Sequence, residues 1–231
     1  MQVRSLLIFT FMCSSLLMCC TTPRNTETAT GGKELVEAIE ADTSDIREEV
    51  SAGFVRLRDM DTTFRYDMRY ATDHNFLKAK VYECDDCVIR KEVAEALINA
   101  NDYYKRLGFR ILLFDCYRPL DVQRQMWEVL PDSRYVANPE RGSVHNRGGA
   151  VDLTLVDARG KILDMGTDFD HFGEEAHHAF MPLPRQVLDN RLLLKEGMIK
   201  HGFAPIRTEW WHYNFISTES FEVSNVKIRC L

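Results

Sequence analysis

Two segments of the sequence carry side chains that suit metal chemistry. Residues 141–155 offer an imidazole at His145 and a carboxylate at Asp152, and a later stretch adds a carboxylate at Glu209 and a second imidazole at His212. A catalytic zinc site takes three protein ligands from His, Asp, Glu or Cys and keeps a fourth position for water. We therefore predict that His145, Asp152 and His212 bind one zinc ion and that Glu209 acts on the water.

This ligand set fits hydrolysis. Two neutral imidazoles and one carboxylate leave positive charge on the ion, which lowers the pKa of bound water toward ~7. Glu209 would take a proton from that water and pass it to the leaving amine. Because positions 209 and 212 of a regular strand face opposite sides, the chain must bend or bulge between them, and we predict a β-bulge.

Each of these residues also has an ordinary structural interpretation. Alone, His145 would more often be a polar loop residue, Asp152 would cap or solvate a strand end, and Trp210 and Trp211 would belong to the core. The chain has seven His, so a pair by chance is unremarkable. The sequence also lacks the HExxH motif of many zinc peptidases. Spacing alone therefore leaves a metal site and purely structural roles open.

Longer motifs favour the metal site. The segments Ser143–Asp152 (S-x-H-x-x-G-x-A-x-D) and Glu209–His212 (EWWH) resemble the paired signatures of the D-alanyl-D-alanine dipeptidases, a group of zinc D,D-peptidases. Three further segments are similar to segments of that family, in the same order: Tyr70–Phe76, Asp115–Pro119 and Met165–Asp170. The resemblance extends from about Phe54 to Tyr213. One departure is Lys78, where the family usually has Gly, and it concerns the shape of that loop.

The resemblance implies a role for each matching residue at the metal. It makes His145, Asp152 and His212 the ligands of one Zn²⁺ per chain. Glu209 matches the general base, which later acts as general acid. The implied fold is the zinc D,D-peptidase (hedgehog/D,D-peptidase-like) fold.

Further matches imply contacts with a substrate. Arg118 matches an arginine that steadies the tetrahedral oxyanion, and a fixed cation placed where charge develops lowers a barrier by several kcal/mol. A salt bridge to Asp115 is the structural alternative for Arg118, and the two roles are compatible. Asp170 matches a carboxylate that grips the free ammonium of a dipeptide. Ser143 and Tyr70 match residues that contact the ends of the dipeptide.

The segments around these residues predict an α+β domain with a small, mostly antiparallel sheet and helices packed on one side. Apolar residues at helical spacing predict helices, two of them followed by Gly, at Lys91–Leu107, Leu120–Leu130 and Pro184–His201. Alternating or short apolar runs predict extended segments at Phe54–Leu57, Phe64–Tyr70, Arg110–Asp115, Ala150–Val156, Lys161–Leu163 and Phe203–Ile216. Asp164–Pro184 is predicted to be a long binding loop.

The N-terminus predicts export. Residues 1–20 combine one Arg with a short apolar run, as in a signal peptide, and they end in a lipobox-like sequence. Cys20 fits the lipidated position slightly better than Cys19, although an ordinary secretory signal is the alternative. We predict a tether at residues 21–50 and one catalytic domain at residues 51–231. The expected location is the periplasm, with membrane attachment only through the lipid anchor.

Charge and cysteine content limit the remaining possibilities. The net charge of −6 and the absence of a basic stripe exclude a nucleic-acid partner. Four Cys remain after the signal segment, at positions 84, 87, 116 and 230. An exported chain favours disulfides, and one that involves Cys87 or Cys116 is expected, although the sequence leaves the pairing open. A single CxxC, Cys84–Cys87, makes a structural zinc improbable, because zinc ribbons need two such pairs.

The resemblance and the signal segment together predict a zinc-dependent enzyme. It would split D-Ala-D-Ala into two D-alanines outside the cytoplasm, during turnover of peptidoglycan. One alternative is a D,D-carboxypeptidase or endopeptidase that acts on stem peptides. Another is a non-catalytic, wall-binding lipoprotein, although binding alone would need neither Glu209 nor Arg118.

Overall fold

The computed structural model of the protein describes residues 53–228. Within this range no helix has the length and apolar character needed to cross a membrane. The predicted signal segment at residues 1–20, its lipid site at Cys20 and the tether at residues 21–50 lie outside the described residues. These N-terminal features therefore stay predictions.

The described part of the chain contains seven strands and four α-helices. The strands are β1 (Phe54–Arg56), β2 (Arg65–Tyr66), β3 (Val88–Arg90), β4 (Phe109–Asp115), β5 (Ala150–Asp157), β6 (Phe203–Pro205) and β7 (His212–Phe215). The helices are α1 (Leu57–Met60), α2 (Lys91–Arg106), α3 (Leu120–Val129) and α4 (Arg185–Lys200). Short 3₁₀ turns occur at Arg69–Ala71, His145–Arg147, Glu174–Ala176 and Thr218–Ser220.

Five strands form the main sheet in the order β2-β4-β5-β7-β6. Strand β2 is parallel to β4, and the other three pairs are antiparallel. Strands β1 and β3 form a separate antiparallel pair. The predicted α+β class with a mostly antiparallel sheet is confirmed.

The two long helices pack against this sheet through apolar faces. Helix α2 contacts β4, α4 contacts β6, and the helices contact each other. A stripe at helical spacing explains the burial of one face of α2, formed by Val93, Ala94, Leu97, Ala100 and Tyr104. Gly108 follows α2 with a φ of 87°, a left-handed conformation that Gly adopts without steric cost.

Three predicted extended segments differ from the structure. Of Phe64–Tyr70, only Arg65–Tyr66 forms a strand, and the segment ends in a 3₁₀ turn. The segment 203–216 is not one strand but the β6–β7 pair, separated by a loop at residues 206–211. Pro205, which has no N–H to extend a ladder, ends β6 at the border of the sheet. The predicted hairpin strand at 161–163 is reduced to a single bridge between Ile162 and Val156.

A disulfide joins Cys87 to Cys116, which confirms the expectation for these two residues. It closes a loop of 29 residues, and such a cross-link stabilises a fold by roughly 3–4 kcal/mol in the chain-entropy account. Cys84 is disulfide-bonded as well. The CxxC cysteines are therefore engaged in disulfides, and they do not form a zinc site.

Candidate metal centre

A tight turn carries His145 to the start of the central strand. His145 begins the 3₁₀ turn that leads into β5, and Gly148 ends this turn with a φ of 68°. A Cβ at Gly148 would collide with the ring of Phe54. Both the left-handed backbone and the close approach require Gly at this position.

Strand pairing brings the other two predicted ligands together. Asp152 of β5 and His212 of β7 are direct partners in the antiparallel ladder, so their side chains lie on the same face. Nδ1 of His212 is 3.0 Å from Oδ1 of Asp152. Nε2 of His145 is 3.4 Å from Oδ2 of Asp152 and 3.2 Å from Nδ1 of His212. The three side chains are buried and offer ligand atoms within 4.8 Å of one another, a group that could hold a metal ion.

Hydrogen bonds fix which ring nitrogens face the centre. Nδ1 of His145 is 2.7 Å from the Cys116 carbonyl oxygen, and Nε2 of His212 is 2.8 Å from Oδ1 of Asn214. A carbonyl oxygen only accepts, so each of these nitrogens carries the proton. The opposite nitrogens then present lone pairs to each other and to Asp152. Three electron-pair donors packed this closely repel one another unless a cation lies between them, so the residues fit a metal ion.

The electrostatics of the cluster agree with this charge pattern. Burial opposes ionisation of Asp152, but the neighbouring imidazoles of His145 and His212 outweigh it and hold its pKa well below the usual range. Burial likewise opposes charging of His145, while Asp152 raises the pKa of this imidazole. Asp152 is therefore ionised and can bind a cation.

Glu209 reaches the cluster from the loop before β7. Its carboxylate oxygen Oε2 is 3.9 Å from Nδ1 of His212. The chain bends at Trp210 and Trp211, so the predicted β-bulge is wrong, although the alternative of a bend holds. The ladder simply begins at His212, which frees Glu209 from strand alternation. Burial raises the pKa of Glu209 to about 7.

Arg118 lies in the buried wall of the same site. Its Nε and Nη2 donate to Oδ2 of Asp115 at 3.1 and 2.6 Å, and its Nη1 donates to Oε1 of Gln123 at 2.9 Å. Burial disfavours the charged guanidinium, but Asp115 outweighs this effect and holds the pKa of Arg118 well above its usual range. The salt bridge considered from the sequence is present, and it fixes Arg118 as a permanent cation.

A second carboxylate stands across the cavity. Asp170 accepts a hydrogen bond of 3.0 Å from the Tyr70 hydroxyl, and its φ of 59° is unusual for a non-Gly residue. Tyr70 belongs to the 3₁₀ turn Arg69–Ala71 and not to an extended segment as predicted. Burial, followed by repulsion from Asp152, raises the pKa of Asp170 to about 8.

One cavity of about 400 Å³ connects these groups. It is lined by the three predicted ligands, by Glu209, Arg118, Asp170 and Tyr70, and by Ser143. Ser143 also accepts a hydrogen bond of 3.2 Å from the backbone N–H of His145 through its hydroxyl oxygen. Every site residue predicted for the catalytic domain therefore lines one cavity.

Sequence reasoning missed the residues that support the site. Asn214 stands two positions after His212, so strand alternation could have placed it on the same face. Gln123, which links Arg118 to the carbonyl of Ala137, lies five residues beyond Arg118 in the first part of α3 and gave no comparable signal. The Cys116 carbonyl was unpredictable, because a backbone acceptor does not depend on residue type.

Comparison with known proteins agrees with this geometry. The family model described as D-ala-D-ala dipeptidase matches residues 50–227. The chain belongs to this family. It is 34% identical to a D-alanyl-D-alanine dipeptidase of Escherichia coli over 71% of this chain and 85% of that protein. It is 35% identical to one from Enterococcus faecalis, over 71% and 92% of the respective chains. A Streptomyces coelicolor D-alanyl-D-alanine dipeptidase is 32% identical, also over 71% and 92%.

Membership in the D-Ala-D-Ala dipeptidase family confirms the resemblance noted from the motifs. The match covers the segments that carry all the predicted site residues between Tyr70 and His212. The chain is accordingly an enzyme of the metallopeptidase type.

Proposed function

We propose that this chain is a zinc-dependent dipeptidase that hydrolyses D-alanyl-D-alanine to two D-alanines, with Glu209 as the general base. One observation carries the proposal: His145, Asp152 and His212 present their ligand atoms within 4.8 Å of one another, in a cavity also lined by Glu209 and Arg118. Two imidazoles and one carboxylate are a common donor set for catalytic zinc.

The amino end of the substrate is assigned to Asp170. This carboxyl group is buried, accepts a hydrogen bond from the neutral hydroxyl of Tyr70 and has a pKa raised to about 8, so a substrate ammonium would supply the positive charge that its ionised form lacks. A longer peptide has an amide in place of that ammonium and would leave the carboxylate uncompensated. Asp170 therefore favours a free dipeptide over a peptidoglycan stem peptide.

The chemical step is divided among the remaining groups. A zinc ion held by His145, Asp152 and His212 would supply Lewis acidity, which lowers the pKa of a water molecule to about 7 and polarises a peptide carbonyl. Glu209 accepts the proton of the attacking water and returns it to the amine that leaves. Arg118, fixed by Asp115 and Gln123, stabilises the oxyanion that forms during attack.

The proposal is tested by metal analysis combined with two substrates. We expect about one zinc per chain, loss of D-Ala-D-Ala hydrolysis after chelation and recovery when zinc is restored. D-Ala-D-Ala should be cleaved with a much higher kcat/KM than a pentapeptide that ends in D-Ala-D-Ala. Faster release of D-alanine from the pentapeptide would instead assign a D,D-carboxypeptidase.

We also propose that the enzyme works outside the cytoplasm as a lipoprotein anchored through Cys20. The support is the signal-like N-terminal sequence with its lipobox-like end. Expression with the native leader should give membrane-bound protein that incorporates labelled fatty acid, and Cys20→Ala should abolish this labelling. Activity confined to the cytosolic fraction would contradict export, and loss of labelling in Cys19→Ala alone would move the lipid site.

A further inference from the structure

The disulfide between Cys87 and Cys116 lies next to the metal site, because Cys116 contacts the predicted ligand His145. Cys87 precedes β3 of the small sheet, and Cys116 follows β4 of the main sheet. Both residues are buried, with 1% and 0% of their surfaces exposed. The bond therefore connects the two sheets covalently at the place where the chain leaves β4 for the active site.

The backbone of Cys116 supports two functional side chains. Its carbonyl accepts the hydrogen bond from Nδ1 of His145 at 2.7 Å, which turns the other ring nitrogen toward the metal site. Its N–H donates to Oδ1 of Asp115 at 2.9 Å. The second oxygen of Asp115 holds the guanidinium of Arg118. The same Oδ1 also accepts a hydrogen bond of 2.7 Å from the Tyr82 hydroxyl. The Cys116 backbone thus orients the predicted ligand directly and helps to orient the predicted oxyanion group through Asp115.

The backbone of Cys116 lies outside the regular helices and strands. Strand β4 ends at Asp115, and helix α3 begins only at Leu120. One backbone hydrogen bond, from the N–H of Tyr117 to the carbonyl of Val88 at 3.0 Å, joins the same two segments as the disulfide. The hydrogen bond from the N–H of Arg118 to the carbonyl of His145 ties this part of the backbone to the ligand turn itself.

We propose that the Cys87–Cys116 disulfide is a positioning element of the active site. It holds the Cys116 carbonyl that orients His145 and the Asp115 carboxylate that orients Arg118. The inference rests on the proposed zinc site. Without the disulfide, the chain keeps its fold but binds the metal less tightly and stabilises the oxyanion less well. An oxidising environment then matters for activity as well as for stability.

The test compares the double variant Cys87→Ala/Cys116→Ala with wild type in zinc affinity, measured by competition with a chelator. We expect the zinc Kd to rise by roughly 10- to 100-fold, as loss of groups that orient metal ligands commonly does. The visible spectrum of the Co²⁺-loaded variant should also change, because it reports ligand geometry. In the zinc-saturated variant, kcat should fall more than KM rises, because Arg118 acts on the transition state.

Leu97→Ala provides the control for general destabilisation. Leu97 is fully buried in α2 and belongs to the main core, with no part in the site. Its truncation should lower Tm by an amount comparable to loss of the disulfide, while the zinc Kd and the Co²⁺ spectrum stay at wild-type values. An unchanged zinc Kd and spectrum in the folded double variant would overturn the proposal.

Two further outcomes keep the inference separate from the proposed function. Wild-type protein that binds no zinc and cleaves no dipeptide would refute the proposed function itself, independently of the double variant. If the double variant does not fold, zinc-loaded wild type is treated with the phosphine reductant TCEP, which, with one water molecule, opens the bond to two thiols and becomes its phosphine oxide; unlike a dithiol reductant, it does not chelate zinc through thiolates. Peptide mapping identifies the opened bond. Zinc release from still-folded protein with Cys87–Cys116 reduced supports the inference, and release only on unfolding contradicts it.

Discussion

Burial makes Glu209 suited to proton transfer. Its pKa is raised to about 7 by desolvation, and a base works best when its pKa is near the working pH. A cation held by the neighbouring ligands favours the ionised form, which is the form that accepts a proton. Glu209 stands in the loop ahead of β7, so its carboxylate is positioned without being a ligand in the three-residue cluster.

We predict that Glu209→Gln lowers kcat for D-Ala-D-Ala by about 10²- to 10⁴-fold, the usual contribution of general acid–base catalysis. The amide has nearly the same shape but cannot accept the proton, so zinc content should stay at the wild-type level. Steady-state kinetics and metal analysis check both points. Glu196→Gln, on the exposed face of α4, is the matched control. Wild-type turnover in Glu209→Gln would show that another group is the base.

Lys78 is a non-Gly residue in a left-handed backbone conformation. Its φ is 54°, a left-handed conformation that costs a non-Gly residue about 1 kcal/mol. The resemblance noted in the sequence led us to expect Gly here, and the left-handed backbone gives a physical reason for that expectation. Lys78 therefore holds a backbone conformation that Gly would adopt at lower steric cost.

We predict that Lys78→Gly stabilises the protein by about 0.3–1 kcal/mol, because relief of the left-handed strain exceeds the greater chain entropy of Gly. Denaturant unfolding measures the change in free energy of unfolding. Lys80→Gly is the control, since Lys80 is also exposed but does not have a positive φ, and this variant should lose stability. Equal losses in the two variants would argue against strain at Lys78.

At the scale of elements, the sequence predicted the helices and strands that have a clear periodic pattern of apolar residues. The bounds of α2 and α4 came out within about two residues, because their apolar stripes are long and each is closed by a Gly. Strand β5 was predictable because apolar residues alternate along it, at Val151, Leu153 and Leu155. The β6–β7 pair was not, since the apolar residues on both sides of the loop continue a strand-like pattern. Pro205 was the signal that could have divided it.

The sequence pattern did not predict the contact between α2 and α4 at Gly197. Gly197 of α4 faces the ring of Tyr104 on α2, and a Cβ there would overlap the phenol. The Tyr104 hydroxyl donates to the carbonyl of Leu194 at 2.6 Å, which fixes the ring against α4. A Gly inside a helix normally weakens it; here it permits the contact between the two long helices.

We predict that Gly197→Ala destabilises the protein by about 1–3 kcal/mol, because overpacking outweighs the better helix propensity of Ala. Activity at low temperature should be unaffected, since the contact is remote from the cavity. Thermal and denaturant unfolding provide the measurement. Glu196→Ala, the exposed neighbour on the same helix, should change stability by no more than about 0.5 kcal/mol. A Gly197→Ala variant as stable as wild type would mean that the helices can move apart freely.

At the scale of the whole molecule, His178 links stability to pH. Burial, followed by the charges of Lys195 and Arg191, lowers its pKa to about 4. Its unfolded pKa is about 6.5. Between these values the unfolded chain binds a proton that the folded chain does not, so the free energy of unfolding falls as pH decreases from 6.5 toward 4. Because His178 is only partly buried, solvent screening limits the total decrease in the free energy of unfolding to about 1–2 kcal/mol.

We predict that His178→Gln, which is neutral throughout this range, has a shallower decline in stability between pH 6.5 and pH 4.5. The comparison uses denaturant unfolding of both proteins at several pH values. Above pH 7 the two curves should run parallel, because His178 is neutral in both states there. Identical slopes in acid would assign the decline to other groups.

Metal binding should stabilise the whole folded domain. The three predicted ligands belong to a turn and to strands β5 and β7, so they meet only in the folded chain. A ligand that binds the folded state alone stabilises it by about 4 kcal/mol at a free concentration near 1,000 times its Kd. For a domain of this size we therefore predict that chelation lowers Tm by roughly 8–16 °C and that added zinc reverses the change. Asp152→Asn should remove this zinc dependence. A Tm indifferent to both chelator and zinc would contradict a metal site built from these three residues.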